Sequence, residues 1–429
     1  MPRLAPHPVP PRYAAPFLHS LFLIRSSRVS HYVFSTYRLI RKEAMKAGPP
    51  EHNFAQRARR VRPKDGFDIL RRPGMKILGM DLGQSKSAWE ILDTVTGETA
   101  KGVVKMDACV LRSWLETHRP DRLVIESGPL AARVHDLACS LGVSVVVADP
   151  TQDAWRWKNV KRKTDADDAG KLVRLELMGQ INPVHMPSPA VRERRRLLEY
   201  RRGLIAEQTR CKNVIRAALM TVGLSAPSGK NGWTQASRQA LIEQAKPLSE
   251  CSAEELWRGL VRSELTHLEQ VEGVVATVDD KLDALGRKDE RVQRLRTIPG
   301  IGPRTAEVIV AVLDEPRRFK SRRQVSAYAG LVPRRYQSGQ MDRSGRITKR
   351  GNPLLRQMLN QAAWIAVRRH PQFREFYLRV GGSQKKRRKQ AIVALMRKML
   401  VVAWALLRDG TRYKPRPLRP DAAPKIGAA

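Results

Sequence analysis

Four acidic residues have the order and spacing of a shared metal site. Asp81 directly follows the apolar strand predicted for Lys76–Met80, and Glu126 directly follows a second predicted strand in the segment VIESG. Asp165 and Asp168 lie three positions apart at the start of a predicted helix, which places both on one helix face. Magnesium prefers such oxygen ligands, and one or two bound ions stabilise the attacking and leaving oxygens of a phosphoryl transfer. The sequence therefore predicts magnesium-dependent chemistry on a phosphodiester.

Each of these acids, taken alone, also has a structural explanation. An Asp at a strand end is often a turn residue, and Asp165 could simply cap its helix. Asp167 lies between the helical pair on another helix face, so we interpret it as a bystander. Four acids in this order on these elements are less easily explained by structure, and the metal hypothesis rests on the complete set.

Strands and helices alternate around these acids. After Lys76–Met80 the pattern predicts four further strands, Trp89–Asp93, Ala100–Lys105, Arg122–Ile125 and Val143–Ala148, and the first two of these strands form a hairpin. It also predicts three helices, Val110–Thr117, Ala131–Ser140 and Asp165–Met178. Such an order predicts an α/β, ribonuclease-H-like layered domain over residues 75–185.

The charge of the chain indicates a polyanionic partner. Eighty Lys and Arg residues stand against 41 Asp and Glu residues, which gives a formal net charge of +39. DNA or RNA is the first expectation and an anionic membrane surface a distant second, while a basic scaffold without chemistry stays open. The four cysteines form no zinc or redox pair, which is typical of a reduced cytoplasmic protein. We expect no membrane span, because no apolar run approaches about 20 residues.

The first 74 residues differ in composition from the rest. They are rich in proline and arginine and have no helical or strand period. A clear strand begins just after Met75, so the extension is either an upstream segment before the natural start at Met75 or a disordered basic arm on nucleic acid.

A helical connector is predicted over residues 190–295. It contains a long basic helix, Arg192–Met220, and a second helix with apolar residues seven positions apart in two series: Leu268, Val275 and Leu282, and Val271, Val278, Leu285 and Val292. Such a heptad seam is typical either of a coiled coil between subunits or of one helix in an intramolecular bundle.

The C-terminal region, 296–410, is predicted to be mostly helical and precedes a tail at 411–429. Its opening segment has the form helix, Gly300-Ile-Gly302 turn, helix. In a helix-hairpin-helix the backbone amides of such a turn approach a phosphate, whereas the alternative is a plain helical hairpin. Residues 351–407 are again helical in pattern, and the basic run Lys385–Lys389 interrupts this segment.

The acidic set and two sequence blocks resemble a known family. The order Asp81, Glu126, Asp165, Asp168, with the last two in KTDxxDA, is similar to that of the DEDD insertion-sequence transposases of the IS110 class. Their first domain is similar to the RuvC Holliday-junction resolvase. The block from IPGIGPRTAEVIVAVL through QMLNQAAW resembles the family's second transposase domain. The resemblance covers the chain from about Met75 to Leu407.

The resemblance implies a serine nucleophile in the second domain, where the family usually reads PRxxSSGG. The matching stretch here is PRRYQSGQ, in which Gln337 and Gln340 depart from the pattern and Ser338 matches the nucleophile. Ser344 ranks second, and the alternative is that Ser338-Gly339 is merely a turn. The surrounding cations suit a scissile phosphate: Arg334, Arg335, Arg343, Arg346, Lys349 and Arg350. We expect Ser338 on a loop between helices.

The family resemblance also implies the reaction and the partners. Attack of Ser338 on DNA would give a covalent phosphoserine intermediate, strand exchange and religation without ATP. A structured non-coding guide RNA would select the sites by base pairing. Strand exchange between duplexes implies a homodimer or homotetramer, with the heptad helix as a candidate interface, acting in the cytoplasm at the nucleoid.

Three other functions stay open. A Holliday-junction-type endonuclease would use the four carboxylates and water, and would leave Ser338 without a role. MDLGQSK resembles the phosphate loop of actin-like sugar kinases, but no later Gly-rich adenosine loop follows and a charge of +39 is unusual for such an enzyme. A non-enzymatic nucleic-acid-binding descendant of a transposase would need none of the acids.

Overall fold

The computed structural model describes residues 74–151, 164–229, 232–338, 341–382, 384 and 387–415. Within it the chain divides into two compact units between Val184 and His185. The proline- and arginine-rich extension up to residue 73, part of the Lys385–Lys389 run and the tail from residue 416 lie outside the described residues.

Unit 1 is built on a mixed five-stranded sheet. In chain order its strands are β1 (Lys76–Asp81), β2 (Lys86–Asp93), β3 (Thr99–Lys105), β4 (Arg122–Glu126) and β5 (Ser144–Ala148), and their spatial order is β3-β2-β1-β4-β5. Strands β1, β4 and β5 are parallel, whereas β2 is antiparallel to both of its neighbours. This arrangement is the predicted layered α/β domain. Strands β1 and β4 each run one residue further than predicted, so Asp81 and Glu126 are their last residues.

Three helices cover this sheet: α1 (Ala108–His118), α2 (Ala131–Ser140) and α3 (Asp165–Leu177). Asp107 caps the start of helix α1, and its carboxylate accepts hydrogen bonds from the amides of Cys109 and Val110. These amide donors lower the pKa of Asp107. Helix α3 lies directly on β1, because a Cβ added to Gly79 would collide with the carbonyl oxygen of Ala169.

Two long antiparallel helices open unit 2, and each is 33 residues long. They are α4 (Pro189–Thr221) and α6 (Leu256–Lys288), and the short α5 (Gln235–Gln244) lies between them in the chain. The Arg201 guanidinium on α4 donates two hydrogen bonds, of 2.6 and 2.9 Å, to the Asp279 carboxylate on α6. Much of the heptad seam is buried within the single chain, at Leu268, Val271, Val278 and Leu282, whereas Leu285 is exposed. In this structure, therefore, the seam belongs to an intramolecular helix pair.

The rest of unit 2 is mostly helical, as predicted, and shares one core with the long helices. Its helices are α7 (Glu290–Leu295), α8 (Pro303–Leu313), α9 (Arg322–Tyr328), α10 (Pro353–Arg369), α11 (Pro371–Gly381) and α12 (Arg388–Asp409). Among the described residues, α12 is long and apolar enough to cross a membrane, contrary to our expectation that no segment would be. Its apolar residues, including Leu395, Met399 and Trp404, are buried in this core, as in the core helix of a globular domain.

A two-stranded antiparallel ribbon stands between α9 and α10 in the chain. It consists of β6 (Pro333–Ser338) and β7 (Met341–Ile347), and each described residue from Pro333 to Arg346 is exposed. The sequence did not predict this ribbon. Most of its residues are polar, and its few apolar ones, such as Met341, do not give the alternation of apolar and polar side chains that marks a half-buried strand.

Candidate active site

Asp81 and Glu126 lie side by side at one edge of the sheet of unit 1. Strands β1 and β4 are parallel with Met80 opposite Ile125, so the next residue of each strand is one of the two acids. Neighbouring strands are about 4.8 Å apart. The buried residues Leu78, Met80 and Ile125 hold the strands in this register. The core of the sheet therefore positions both carboxylates.

A pocket of about 290 Å³ opens at this edge of the sheet. Asp81 and Glu126 both line it, together with residues of the loops that follow β1 and β4: Leu82, Gln84, Ser127, Gly128, Pro129 and Leu130. Loops after the carboxyl ends of parallel strands are where α/β domains bind ligands. The pocket is thus open to a ligand at the two acids.

The first turn of α3 carries the other acids, which differ in their hydrogen bonds and exposure. The Thr164 hydroxyl caps α3 by accepting from the Asp167 amide, and it donates a 2.6 Å hydrogen bond to the Asp167 carboxylate. The cap of α3 is therefore Thr164, in contact with Asp167, and not Asp165. Asp165 is exposed and Asp168 is half-buried.

The packing of α3 brings its first turn towards β1. Ala169 follows Asp168 directly and contacts Gly79, which lies two residues before Asp81. One residue further along α3, Gly170 packs against the Glu90 carboxylate on β2. Both glycines let the helix backbone approach the sheet closely. Asp168 directly precedes Ala169, so it lies on the side of β1 on which α3 packs.

The two acids in the pocket have the chemistry that a hard divalent cation prefers. All four acids supply carboxylate oxygens, and two of them share a pocket with room for water and phosphate oxygens. Asp81 and Glu126, which line the pocket, would hold such an ion. Asp165 and Asp168 are not among the described residues that line the pocket, and their part in the same site stays a prediction. The ion would supply positive charge to the phosphate oxygens of a bound nucleic acid.

Ser338 is the last residue of β6 and is exposed. Our expectation of a loop between helices was wrong, because the polar segment around the serine pairs with β7 as a ribbon. Ser338 pairs with Met341, and Gln337 pairs with Asp342. Gly339 and Gln340, which join the strands, lie outside the described residues.

The two candidate serines are on opposite faces of the ribbon. Tyr336 lies two residues before Ser338 and pairs with Arg343, so these residues share a face with Ser338. Ser344 pairs with Arg335, and these two residues are the neighbours of Arg343 and Tyr336 along the strands, so Ser344 lies on the other face. A phosphate at the Ser338 hydroxyl is therefore on the wrong side of the ribbon for Ser344.

All six of the cations predicted to bind nucleic acid are exposed, at positions 334, 335, 343, 346, 349 and 350. They are not equivalent. Arg343 is on the face of Ser338, whereas Arg335 is on the face of Ser344 and lies 3.5 Å from the Asp342 carboxylate. Lys349 and Arg350 belong to the base of the ribbon, where the Lys349 amide donates to the Gly330 carbonyl.

The sequence did not single out Arg356, which anchors the base of the ribbon. One guanidinium nitrogen of Arg356, on α10, donates to the carbonyl oxygens of Ala329, Arg350 and Gly351 at 3.2, 2.9 and 3.0 Å. Burial lowers the pKa of Arg356. Gly330 and Gly351 have φ angles of +68° and +81° and sit too close to neighbouring backbone for any side chain. No sequence signal separates Arg356 from the many other arginines.

The glycines of the predicted helix-hairpin-helix have different surroundings. A Cβ on Gly300, where φ is +88°, would lie 2.6 Å from the Ala362 carbonyl oxygen, so α10 packs directly on this glycine. Gly302 is exposed, precedes α8 and has open space around it. Gly302 is thus the more accessible of the two to a phosphate, and phosphate binding by this turn stays a prediction.

A second group of possible metal ligands lies between α4 and α6. The ligand atoms of Glu207, Cys211 and His267 are all within 4.8 Å of one another. Arg210 already neutralises this group through hydrogen bonds to Glu207 and Glu264. Burial raises the pKa of the Cys211 thiol to about 11, which keeps it protonated. These residues therefore read as a polar contact between the two helices.

Strand-end carboxylates at a pocket and, further along the chain, an exposed cationic ribbon suit a DNA-processing enzyme. A DEDD transposase model of IS110 type matches residues 78–223, and the model described as Transposase IS116/IS110/IS902 family matches residues 292–378. The chain belongs to this transposase family.

Individual relatives agree with this family. The "Probable family 20 transposase" of Pseudomonas aeruginosa is 30% identical over 256 residues, which cover 59% of this chain and 74% of the relative. The transposase for insertion sequence element IS1111A of Coxiella burnetii is 27% identical over 59% of this chain and 68% of the relative. The pilin gene-inverting protein of Moraxella lacunata is 36% identical over 29% of this chain and 39% of that protein. Among solved structures, Thermus thermophilus RuvC matches with a TM-score of 0.20 and 15% identity, covering 26% of this chain and all of RuvC.

Proposed function

We propose that this transposase cuts and rejoins DNA with Ser338 as nucleophile and with magnesium held by Asp81, Glu126, Asp165 and Asp168. The observation that carries the proposal is the position of Ser338, exposed at the end of a ribbon with cations on both faces. Relatives named as transposases and as a pilin gene-inverting protein support DNA rearrangement as the reaction class.

The proposed chemistry conserves the phosphodiester bond energy. The Ser338 hydroxyl attacks a DNA phosphate, so that a bond from Oγ to phosphorus forms and the bond from phosphorus to one deoxyribose oxygen breaks. The serine proton leaves to a base, and the departing deoxyribose oxygen takes up a proton. Attack by the hydroxyl of an exchanged strand then reverses these steps, releases Ser338 and needs no ATP.

The cations of the ribbon have a defined part in this proposal. Arg343, on the face of Ser338, binds the phosphate under attack, while Arg334, Arg335, Arg346, Lys349 and Arg350 bind flanking phosphates. Gly302, with Gly300 beneath it, offers a further phosphate contact through the turn before α8. Such contacts position nucleic acid without reading its sequence.

Sequence choice and assembly complete the proposal. A structured guide RNA, paired with the target and donor DNA, selects the sites, and a net charge of +39 suits a protein that holds RNA and DNA together. Exchange between two duplexes needs more than one active site, so we propose a dimer or tetramer that acts in the cytoplasm on chromosomal DNA.

Trapping a covalent protein–DNA adduct tests the proposal. The full chain is incubated with element-end DNA, the non-coding RNA of the element and magnesium, and is then denatured on a gel. Ser338→Ala should eliminate the adduct, and Ser344→Ala should retain it. Cleavage without any adduct would contradict the proposal and favour the carboxylate-only nuclease. Binding without cleavage by the wild-type chain would favour the non-enzymatic descendant.

A further inference from the structure

The face of the ribbon that carries Ser338 also carries two large exposed side chains. Tyr336 is 54% exposed and Met341 is 49% exposed. Met341 lies directly opposite Ser338, and Arg343 lies directly opposite Tyr336. A hydroxyl, an aromatic ring and a guanidinium therefore occupy adjacent positions on one solvent-facing surface.

The Tyr336 ring packs close to Gly345 on the neighbouring strand. A Cβ added to Gly345 would lie 3.2 Å from Cε2 of Tyr336. The ring thus lies against the bare backbone of Gly345 on the neighbouring strand, an arrangement in which an aromatic side chain covers a strand glycine. One side of the ring is covered by the ribbon, and the exposed remainder faces solvent beside Ser338.

We propose that Tyr336 is a stacking platform for an unpaired nucleobase next to the phosphate that Ser338 attacks. This inference rests on the proposed function and names what the site binds. Residues two apart on a strand are separated by about 7 Å. A base on the ring and a phosphate at the Ser338 hydroxyl can therefore belong to the same or to neighbouring nucleotides.

The positive charge of the ribbon favours a nucleic-acid strand over a second copy of the protein as the partner that contacts the Tyr336 ring. A second copy of this face would bring Arg343 against another Arg343, and like charges opposed in this way repel. A nucleic-acid strand offers both complements at once, an aromatic face for Tyr336 and phosphates for the arginines. Stacking on an aromatic ring tolerates any base, so the platform leaves sequence choice to other parts of the complex.

The test uses the full chain and a single-stranded oligonucleotide that contains 2-aminopurine, whose fluorescence is quenched by stacking. The titration is done at raised salt, because salt weakens phosphate contacts and leaves stacking largely intact. Tyr336→Ala should lose the quenching and about tenfold in affinity. Tyr336→Phe keeps the ring and should bind within about twofold of the wild type. Gly345→Val displaces the ring and should behave like Tyr336→Ala.

The salt dependence separates stacking from charge. Arg343→Ala should reduce the slope of log affinity against log salt by about 0.7, the value for one phosphate contact on a single strand. Tyr336→Ala should leave that slope unchanged. Wild-type quenching and affinity in Tyr336→Ala would overturn the proposal, and so would equal losses in Tyr336→Phe and Tyr336→Ala. A covalent adduct that survives Ser338→Ala would instead refute the nucleophile without changing the quenching result.

Discussion

The acid pocket of unit 1 and the serine ribbon of unit 2 are held in opposite ways. Asp81 and Glu126 end strands whose preceding residues, such as Met80 and Ile125, are fully buried. Ser338 ends a strand in which every residue is exposed, and the base of the ribbon is held by hydrogen bonds from Arg356. Core packing thus positions the carboxylates before nucleic acid binds, whereas the position of the serine depends on a few backbone contacts and on the bound nucleic acid. Substitutions in the two regions should therefore fail for different reasons.

The largest expected effect is on the pocket. Asp81→Asn keeps the shape of the side chain but removes the charge, so strand cleavage should fall by about a thousandfold or more, the equivalent of several kcal/mol of charge stabilisation. Binding of nucleic acid should be nearly unchanged, because the cations are elsewhere. Asp167→Asn is the matched control on the helix cap and should keep most of the cleavage. Similar losses in both variants would show that helix α3, and not the metal ligands, limits the reaction.

The core that supports the ribbon contains a titrating group. Glu307 is fully buried beside Arg304, and burial raises its pKa to about 7. Because the folded-state pKa lies above the unfolded value, the native state keeps this proton as pH rises, and stability is lost between about pH 4.5 and 7. The loss should be at most about 3 kcal/mol. Denaturant unfolding at several pH values should show this decline in the wild type.

Glu307→Gln provides the control for this titration, because glutamine does not ionise. The difference in unfolding free energy between variant and wild type should change with pH in that window and be flat above it. A difference that is constant from pH 4.5 to 8 would contradict the assignment.

A glycine-to-alanine substitution should lower the free energy of unfolding by different amounts in the two regions. Gly79→Ala places a methyl group against the Ala169 backbone, so α3 must shift, and unfolding of unit 1 should become about 2–3 kcal/mol easier. Gly345→Ala meets only the Tyr336 ring, which can move, and should cost less than about 1 kcal/mol. Thermal denaturation of both variants measures this difference. Equal costs would show that the ribbon is packed as tightly as the sheet.

A more modest effect than that of Gly79→Ala is expected at the base of the ribbon. Arg356→Ala leaves the carbonyls of Ala329, Arg350 and Gly351 without this donor and should cost about 1–2 kcal/mol of stability. Cleavage should fall at the same time, although Arg356 is a positioning residue that need not touch the DNA. Arg368→Ala, in the last turn of the same helix, is the matched control. Unchanged cleavage in Arg356→Ala would mean that the ribbon does not need this anchor.

The sequence predicted the pocket better than the ribbon, for physical reasons. Buried strands such as β1 and β4 are apolar runs that end in a charged residue, so both the element and the acid leave a local signal. Helix α2 was predicted with its observed bounds. The ribbon leaves no such signal, because its exposed side chains, such as Arg335, Tyr336 and Gln337, do not alternate between apolar and polar. Heptad spacing likewise cannot distinguish a seam within one chain from a seam between two.

The central claim, that Ser338 forms the covalent bond to DNA, is tested most directly by locating that bond. Trypsin cuts after Arg335 and Arg343, so Ser338 falls in the peptide Tyr336–Arg343, while Ser344 falls in the next one. The trapped adduct is digested with nuclease and trypsin and analysed by tandem mass spectrometry. A nucleotide on Ser338 of that peptide is the predicted result. A nucleotide on Ser344 or Tyr336 would contradict the account.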